Sequence, residues 1–241
     1  MRLNHSLRKR RSFLCSVIFF QRIFMKPELT IELLCKEAYA FSQTESRHHE
    51  SAIFGITDGK AIGTYLEHKF QKYLLEKYRY QAGNSAKGID FPDLNVDIKV
   101  TSIRQPQSSC PFKSAKQKIF GLGYSLLVFI YDKHDIPESQ TGHLNILHTI
   151  FIDKSRTADY QTTKGLKEIV DKEGNIEDLL SFMRDRYLPA DDITANQIAE
   201  ELLQDNFEIG YLTISNALQW RLQYKRVIEK AGQVNGILRI L

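Results

Sequence analysis

The chain has 241 residues, 42% of them hydrophobic and 26% charged, the balance of one large packed domain or a medium one plus a small one. That excludes collagen-like, low-complexity and largely disordered chains. No apolar run approaches the roughly 18 residues a membrane-spanning helix needs, and a cytoplasmic protein is expected. Three cysteines (Cys15, Cys35, Cys110) without a Cys-x-x-Cys exclude a disulfide framework and a thiolate zinc site. The formal charge of +4 hints at an anionic partner, but its distribution matters more. Arg2, Arg8, Lys9, Arg10, Arg11 and Arg22 stand in the first 25 residues with no acid, leaving 27 basic against 29 acidic residues in 26–241.

The leader couples a basic start (Arg8–Arg11) to a short apolar stretch (Phe13–Phe20), two features of a secretory signal. A small-residue cleavage site is missing. The expectation is therefore that Met25 starts the protein and that 1–25 lies outside the fold. Within the remainder, Lys99–Tyr131 carries Lys99, Arg104, Lys113, Lys116 and Lys118 with no acid. Arg221–Arg239 carries Arg221, Lys225, Arg226, Lys230 and Arg239 against Glu229 alone. Two such windows in a net-acidic body suggest a directed electrostatic footprint.

Along the chain, 28–41 reads as a helix, 41–61 as a polar loop, and Ile62, Tyr65, Leu66, Phe70, Tyr73 and Leu74 as a helical stripe. Ile89–Phe91 and Val96–Thr101 read as short strands around Pro92-Asp93-Leu94-Asn95, whose proline and Asx residues have turn chemistry. Lys113–Gly121 is a predicted helix ending on glycine. Ser125–Tyr131 is a continuous apolar run, as expected of a strand covered on both faces. A second strand over His143–Asp153 and an amphipathic helix over Ile176–Tyr187 follow, with Leu188-Pro189-Ala190-Asp191 as the linker. The histidines (His48, His49, His143, His148) make no zinc pattern, and Gln105, Gln107, Ser108 and Ser109 read as a polar loop that could touch DNA, with a plain surface loop as the default.

The sharpest feature is Gly88–Lys99. With Asp93 and Leu94 at the turn centre, antiparallel pairing sets Phe91 opposite Val96 and Asp90 opposite Asp97, while alternation puts Lys99 on the face of Asp97. Carboxylates on Cβ atoms about 5 Å apart repel by roughly 3 kcal/mol at an effective dielectric near 20. A divalent cation supplies the counter-charge, and hard oxygen ligands favour magnesium. Asp93 sits in the turn and points away. These residues resemble the PD-(D/E)xK nuclease superfamily: Asp90 matches its first acid, and Asp97-Ile98-Lys99 its D-x-K tripeptide. The αβββαβ order over 59–153 fits as well. Gly63-Thr64-Tyr65-Leu66-Glu67 matches the family's Gly-x-x-x-Glu, making Glu67 a possible third acid. The resemblance implies Mg2+ held by Asp90, Asp97 and the Ile98 carbonyl, with Lys99 positioning or activating the attacking water.

At the C-terminus, Thr194-x-x-Gln197 has capping-box spacing, and Ile214, Ala217, Leu218 and Leu222 suggest a second helix. Val227–Ala231 and Ile237–Ile240 suggest a β-hairpin around Gly-Gln-Val-Asn-Gly. Together these resemble a winged helix-turn-helix. In it, Asn216, Gln219 and Gln223 would read bases, and Lys225, Arg226 and Lys230 would hold phosphates. The expected fold is α/β: a restriction-endonuclease-like core (26–188) with a C-terminal winged-helix domain (189–241). The expected activity is magnesium-dependent, site-specific cleavage of double-stranded DNA, as in type II restriction endonucleases. A homodimer is implied, since two strands need two sites, and a DNA methyltransferase acting on the same site is a possible companion. Two alternatives stay open: a structure-specific repair, recombination or transposon-associated nuclease, and a non-catalytic winged-helix regulator.

Overall fold

Thr30 opens the first helix by accepting the Leu33 N–H at 3.2 Å, an N-cap that satisfies an otherwise orphaned donor. This helix, α1 (Ile31–Glu45), buries Leu34, Ala38 and Phe41. The two-residue strand β1 (His49–Glu50) follows. Asp58 then caps α2 (Gly59–Lys77), accepting from the N–H groups of Lys60 and Ala61. Its buried Ile62, Leu66, Phe70 and Leu74 recur every fourth residue and so form one stripe. The remaining elements are β2 (Val96–Ser102), β3 (Gln107–Cys110), α3 (Lys116–Phe120), β4 (Ser125–Ile136), β5 (Thr141–Ile152), α4 (Tyr160–Asp171), α5 (Ile176–Asp185), α6 (Asp192–Gln204), β6 (Thr213–Ile214), β7 (Trp220–Gln223), α7 (Lys225–Lys230) and β8 (Ile237–Arg239). This computed structural model describes residues 26–81, 83, 88–111, 113–204, 206–215 and 220–241; the leader and the question of Met25 lie outside them.

The principal sheet has the order β1-β5-β4-β2, with β8 also paired to β5. β2 runs parallel to β4, Val96 beside Ser125, while β4 and β5 are antiparallel with an irregularity at Ile130/Tyr131. β2 is thus an edge strand. A second sheet, β3-β7-β6, is wholly antiparallel. The apolar run of β4 alternates between two cores. Leu127 and Phe129 pack with Val96, Ile98 and the α1 and α2 stripes. Leu126, Val128 and Ile130 pack with Ile150, Ile152 and the second sheet's Leu212, Ile214, Trp220 and Leu222. A third cluster joins α3 to α4, α5 and α6. The protein is therefore mixed α/β. Among the described residues no helix is long and apolar enough to cross a membrane.

Several expectations need correcting. Ile89–Phe91 is not a strand: Phe91 alone bridges to Val96, and the next carbonyl outward, Asp90 O, accepts the Gly83 N–H instead. Between α2 and Thr101, β2 alone forms a strand among the described residues. The winged helix-turn-helix is replaced by sheet. Trp220 and Leu222 are buried while Arg221 and Gln223 are exposed, a period of two that makes β7 rather than a recognition helix. Asn216 and Gln219 lie outside the described residues. Val227–Ala231, expected as a strand, mostly forms α7, and Ile237–Arg239 pairs with β5. The cap at the start of α6 is Asp191, whose Oδ1 accepts the Thr194 N–H at 2.7 Å, not Thr194.

Candidate active site

The turn at Pro92–Asn95 closes as the sequence suggested. Phe91 N–H donates to Val96 O at 2.9 Å, and Val96 N–H returns to Phe91 O at 3.2 Å. Asn95 adopts φ 54, a left-handed conformation that asparagine tolerates better than most residues. Its Nδ2 donates to Gly123 O at 2.7 Å and its carbonyl accepts Ser125 N–H at 2.9 Å. The turn is therefore tied to the start of β4, which fixes the level at which Asp97 emerges. Asp93 is exposed, and its carboxylate accepts the Gln81 N–H at 3.0 Å. It serves the turn and not the site.

Asp90 is held from two sides: Gln71 Nε2 donates to Oδ1 at 2.9 Å, and the Ile98 N–H donates to Oδ2 at 2.8 Å. The second bond shows which way Ile98 faces. Its N–H points away from β4, and in an extended strand the carbonyl of the same residue points to the same side. The Ile98 carbonyl is therefore directed to the free edge, beside Asp90. Asp97 and Lys99 share a face, as alternation requires, with Lys99 Nζ 2.6 Å from Asp97 Oδ2. The contact is ionic rather than an aligned hydrogen bond, since Oδ2 is buried with no hydrogen-bond partner among the described residues.

Glu67 reaches the same place from α2, one residue beyond buried Leu66. Burial, together with the charges of Asp90 and Asp97, lifts its pKa to about 7 against the opposing pull of Lys99. Burial also raises Asp97; Lys99 pulls it down and the adjoining Asp90 raises it further. For Lys99, burial works against the charged form, but Asp97, Asp90 and Glu67 outweigh it and the pKa is raised. Three carboxylates thus surround one ammonium, an excess of negative charge in a half-buried place. Among the described residues no three acidic, imidazole or thiol side chains converge tightly enough to hold an ion together. The donor chemistry is nonetheless all hard oxygen, and the buried Asp97 Oδ2 is met by the Lys99 ammonium alone among the described residues.

Glu67 and Lys99 open into a cleft of about 900 Å³. Its wall also includes Lys60, Arg104, Gln105, Gln107, Ser109 and Arg221. Gln105, Gln107 and Ser109, a polar loop by sequence, thus join the site, and Lys60, in neither basic window, joins it too. Only folding brings 60, 104 and 221 to one rim. The earlier basic windows were the available signal for Arg104 and Arg221. Gln223, Lys225, Arg226 and Lys230 do not line the cleft. Lys225 and Lys230 are exposed on α7. Arg226 stacks over the Tyr160 ring at 3.9 Å, with its Nε buried and without a hydrogen-bond partner among the described residues.

The family model described as Type II restriction enzyme NspV matches residues 28–239. The type II restriction enzyme NspV of Nostoc sp. is 62% identical over 212 residues, covering 88% of this chain and 96% of that protein. No solved structure matches the chain. A match of this extent spans the carboxylate–lysine strand, the cleft and both sheets alike. The chain belongs to the type II restriction enzyme NspV family and is a site-specific deoxyribonuclease.

Proposed function

We propose that Asp90, Asp97, Lys99 and Glu67 form the hydrolytic centre of this endonuclease, built on a restriction-endonuclease-like core of the PD-(D/E)xK type. The observation that carries the reading is the Asp97–Lys99 ion pair on an edge strand, with Asp90 clamped alongside and Lys99 and Glu67 opening into a basic-rimmed cleft. Mg2+ fits these donors: Asp90, Asp97 and the Ile98 carbonyl are hard oxygens, and magnesium keeps several of its waters, so a full protein cage is unnecessary. When bound, it would supply a charge that polarises the scissile phosphate and acidifies water.

The chain's own residues do the rest. Asp90 is kept in one rotamer by Gln71 and the Ile98 amide, so the acidic pair is oriented before DNA arrives. Lys99 stays protonated beside Asp97 and donates to the attacking water or to a non-bridging phosphate oxygen, where negative charge grows during displacement. Lys60 and Arg104 on the rim hold the backbone, together with Lys225 and Lys230 farther along. Arg226, packed on Tyr160, braces α7. Two such centres, one from each copy of a homodimer, would cut the two strands, and a methyltransferase modifying the same sequence would protect the host's DNA. Digestion of plasmid DNA with and without magnesium tests the reading. Discrete bands that depend on the metal are expected. Metal-independent bands, a smear, or cutting confined to branched DNA would contradict it.

A further inference from the structure

The second sheet has one face that its packing leaves unexplained. In β3 and β7 the inward residues Cys110, Trp220 and Leu222 belong to the core, as does Tyr224 just after β7. The register pairs Gln107 with Gln223 and Ser109 with Arg221, so these four side chains share the opposite face. Arg221 and Gln223 are exposed, as is Ser109, and Gln107 is half-buried. Gln107, Ser109 and Arg221 line the same cleft as Glu67 and Lys99. The backbone beneath Arg221 is fixed, its N–H donating to Ser215 Oγ at 3.1 Å and its carbonyl accepting Ser215 N–H at 3.2 Å. Among the described residues Arg221 has no ion-pair partner.

A β-ribbon fits the major groove, about 12 Å wide, where glutamine pairs bidentately with adenine and arginine with guanine; here β3 and β7 form it, with the two-residue β6 flanking β7 at Gln223. A face of two glutamines, a serine and an unpaired arginine has that chemistry, and a purely phosphate-holding surface would not need the amides. We infer that the outer face of the β3–β7 ribbon is the base-reading surface of the enzyme. Arg221 reads a guanine, and Gln107, with Gln223 beside it, reads an adenine. The inference rests on the catalytic reading of the cleft, because that reading sets the ribbon against the DNA being cut. It moves recognition from a C-terminal helix to a ribbon on the catalytic cleft.

The test uses the full-length enzyme with magnesium. The cut ends of a long natural DNA, sequenced, define the site. Cleavage rates are then measured on a duplex carrying that site and on every single-base-pair variant of it. For Arg221→Ala and Arg221→Lys the expected result is a loss of about 10- to 100-fold on the intact site, with discrimination lost at one G·C pair and kept elsewhere. Gln107→Ala should do the same at one A·T pair. Arg221→Lys retaining wild-type rate and discrimination would reduce Arg221 to a phosphate contact and overturn the proposal. So would an unchanged site preference in Arg221→Ala. Thermal melting screens for misfolding, and where one alanine variant fails it, the other variants decide. Lys99→Ala is run in parallel: it should lose cutting on every duplex alike. If it cuts normally, the catalytic reading fails, whatever the ribbon variants do.

Discussion

At the residue scale, the site is made by strand alternation and one tight turn. Asp97 and Lys99 are two apart on β2 and so share a face, and the Phe91–Val96 bridge brings Asp90 to the Ile98 amide. That much was legible in twelve consecutive residues, because turn chemistry and a period of two are local rules. With Lys99 acting as proposed, Lys99→Ala should lower single-turnover cleavage by about 1000-fold, the range seen when one charge-stabilising donor is lost. DNA binding measured by gel shift should change little. Gln71 is a positioning residue, donating to Asp90 Oδ1 at 2.9 Å. Gln71→Ala should cost about tenfold in the cleavage step without changing substrate affinity, and Gln71→Glu, which loses the donor, should not restore it. An affinity defect without a rate defect would show that Gln71 serves only packing.

At the element scale, α1 and α2 are clasped by Glu37, which accepts from Tyr73 Oη and Lys77 Nζ at 2.6 Å and from Tyr78 Oη at 2.8 Å. Burial would raise the Glu37 carboxyl, but these donors outweigh it and hold its pKa near 2. A folded value below the unfolded one means that the stabilisation is present above about pH 4.5 and is lost as the pH falls toward 2. Glu37→Gln should therefore lower stability to urea by about 1–2 kcal/mol at pH 7, a figure reduced for the exposure of Lys77. The difference from wild type should close as the pH approaches 2; a gap independent of pH would contradict the clasp. Helix α2 itself was readable, since four apolar residues at fourfold spacing admit few other structures. The segment 212–223 was not. Ile214, Leu218 and Leu222 satisfy a helical period, while the buried Trp220 and Leu222 satisfy a strand period just as well. What decides is β3, a pairing partner more than 100 residues away, which no local pattern shows. α4 was missed for a related reason: its three buried residues, Thr162, Thr163 and Leu166, include two threonines and give little apolar signal.

At the scale of the whole molecule, the last fifth of the chain packs into the core beside which a separate domain is expected from sequence. β8 pairs with β5, and Leu212, Ile214, Trp220 and Leu222 cover the β4–β5 face. Buried Asp159 fastens the join: one carboxylate oxygen accepts from Thr162 N–H and Oγ1, the other from Ile214 N–H at 2.8 Å. Asp159→Ala leaves these buried donors unsatisfied and should cost about 3 kcal/mol in denaturant unfolding. A chain ended at residue 211 would expose Leu126, Val128, Ile150 and Ile152 and should not give a cooperative melt; a stable, cooperatively melting fragment would restore the picture of two independent domains. If the ribbon reads bases and the β2 edge cuts, as proposed, the shared core would join the two tasks directly. In the proposed centre, hydrolysis depends on the acidic pair at the edge of β2. The most direct measurement is the single-turnover cleavage rate of Asp97→Ala at saturating magnesium on the enzyme's own site, beside a gel shift on the same duplex. Loss of at least about 1000-fold in cleavage with the shift retained is the predicted result, and cleavage at the wild-type rate would contradict it.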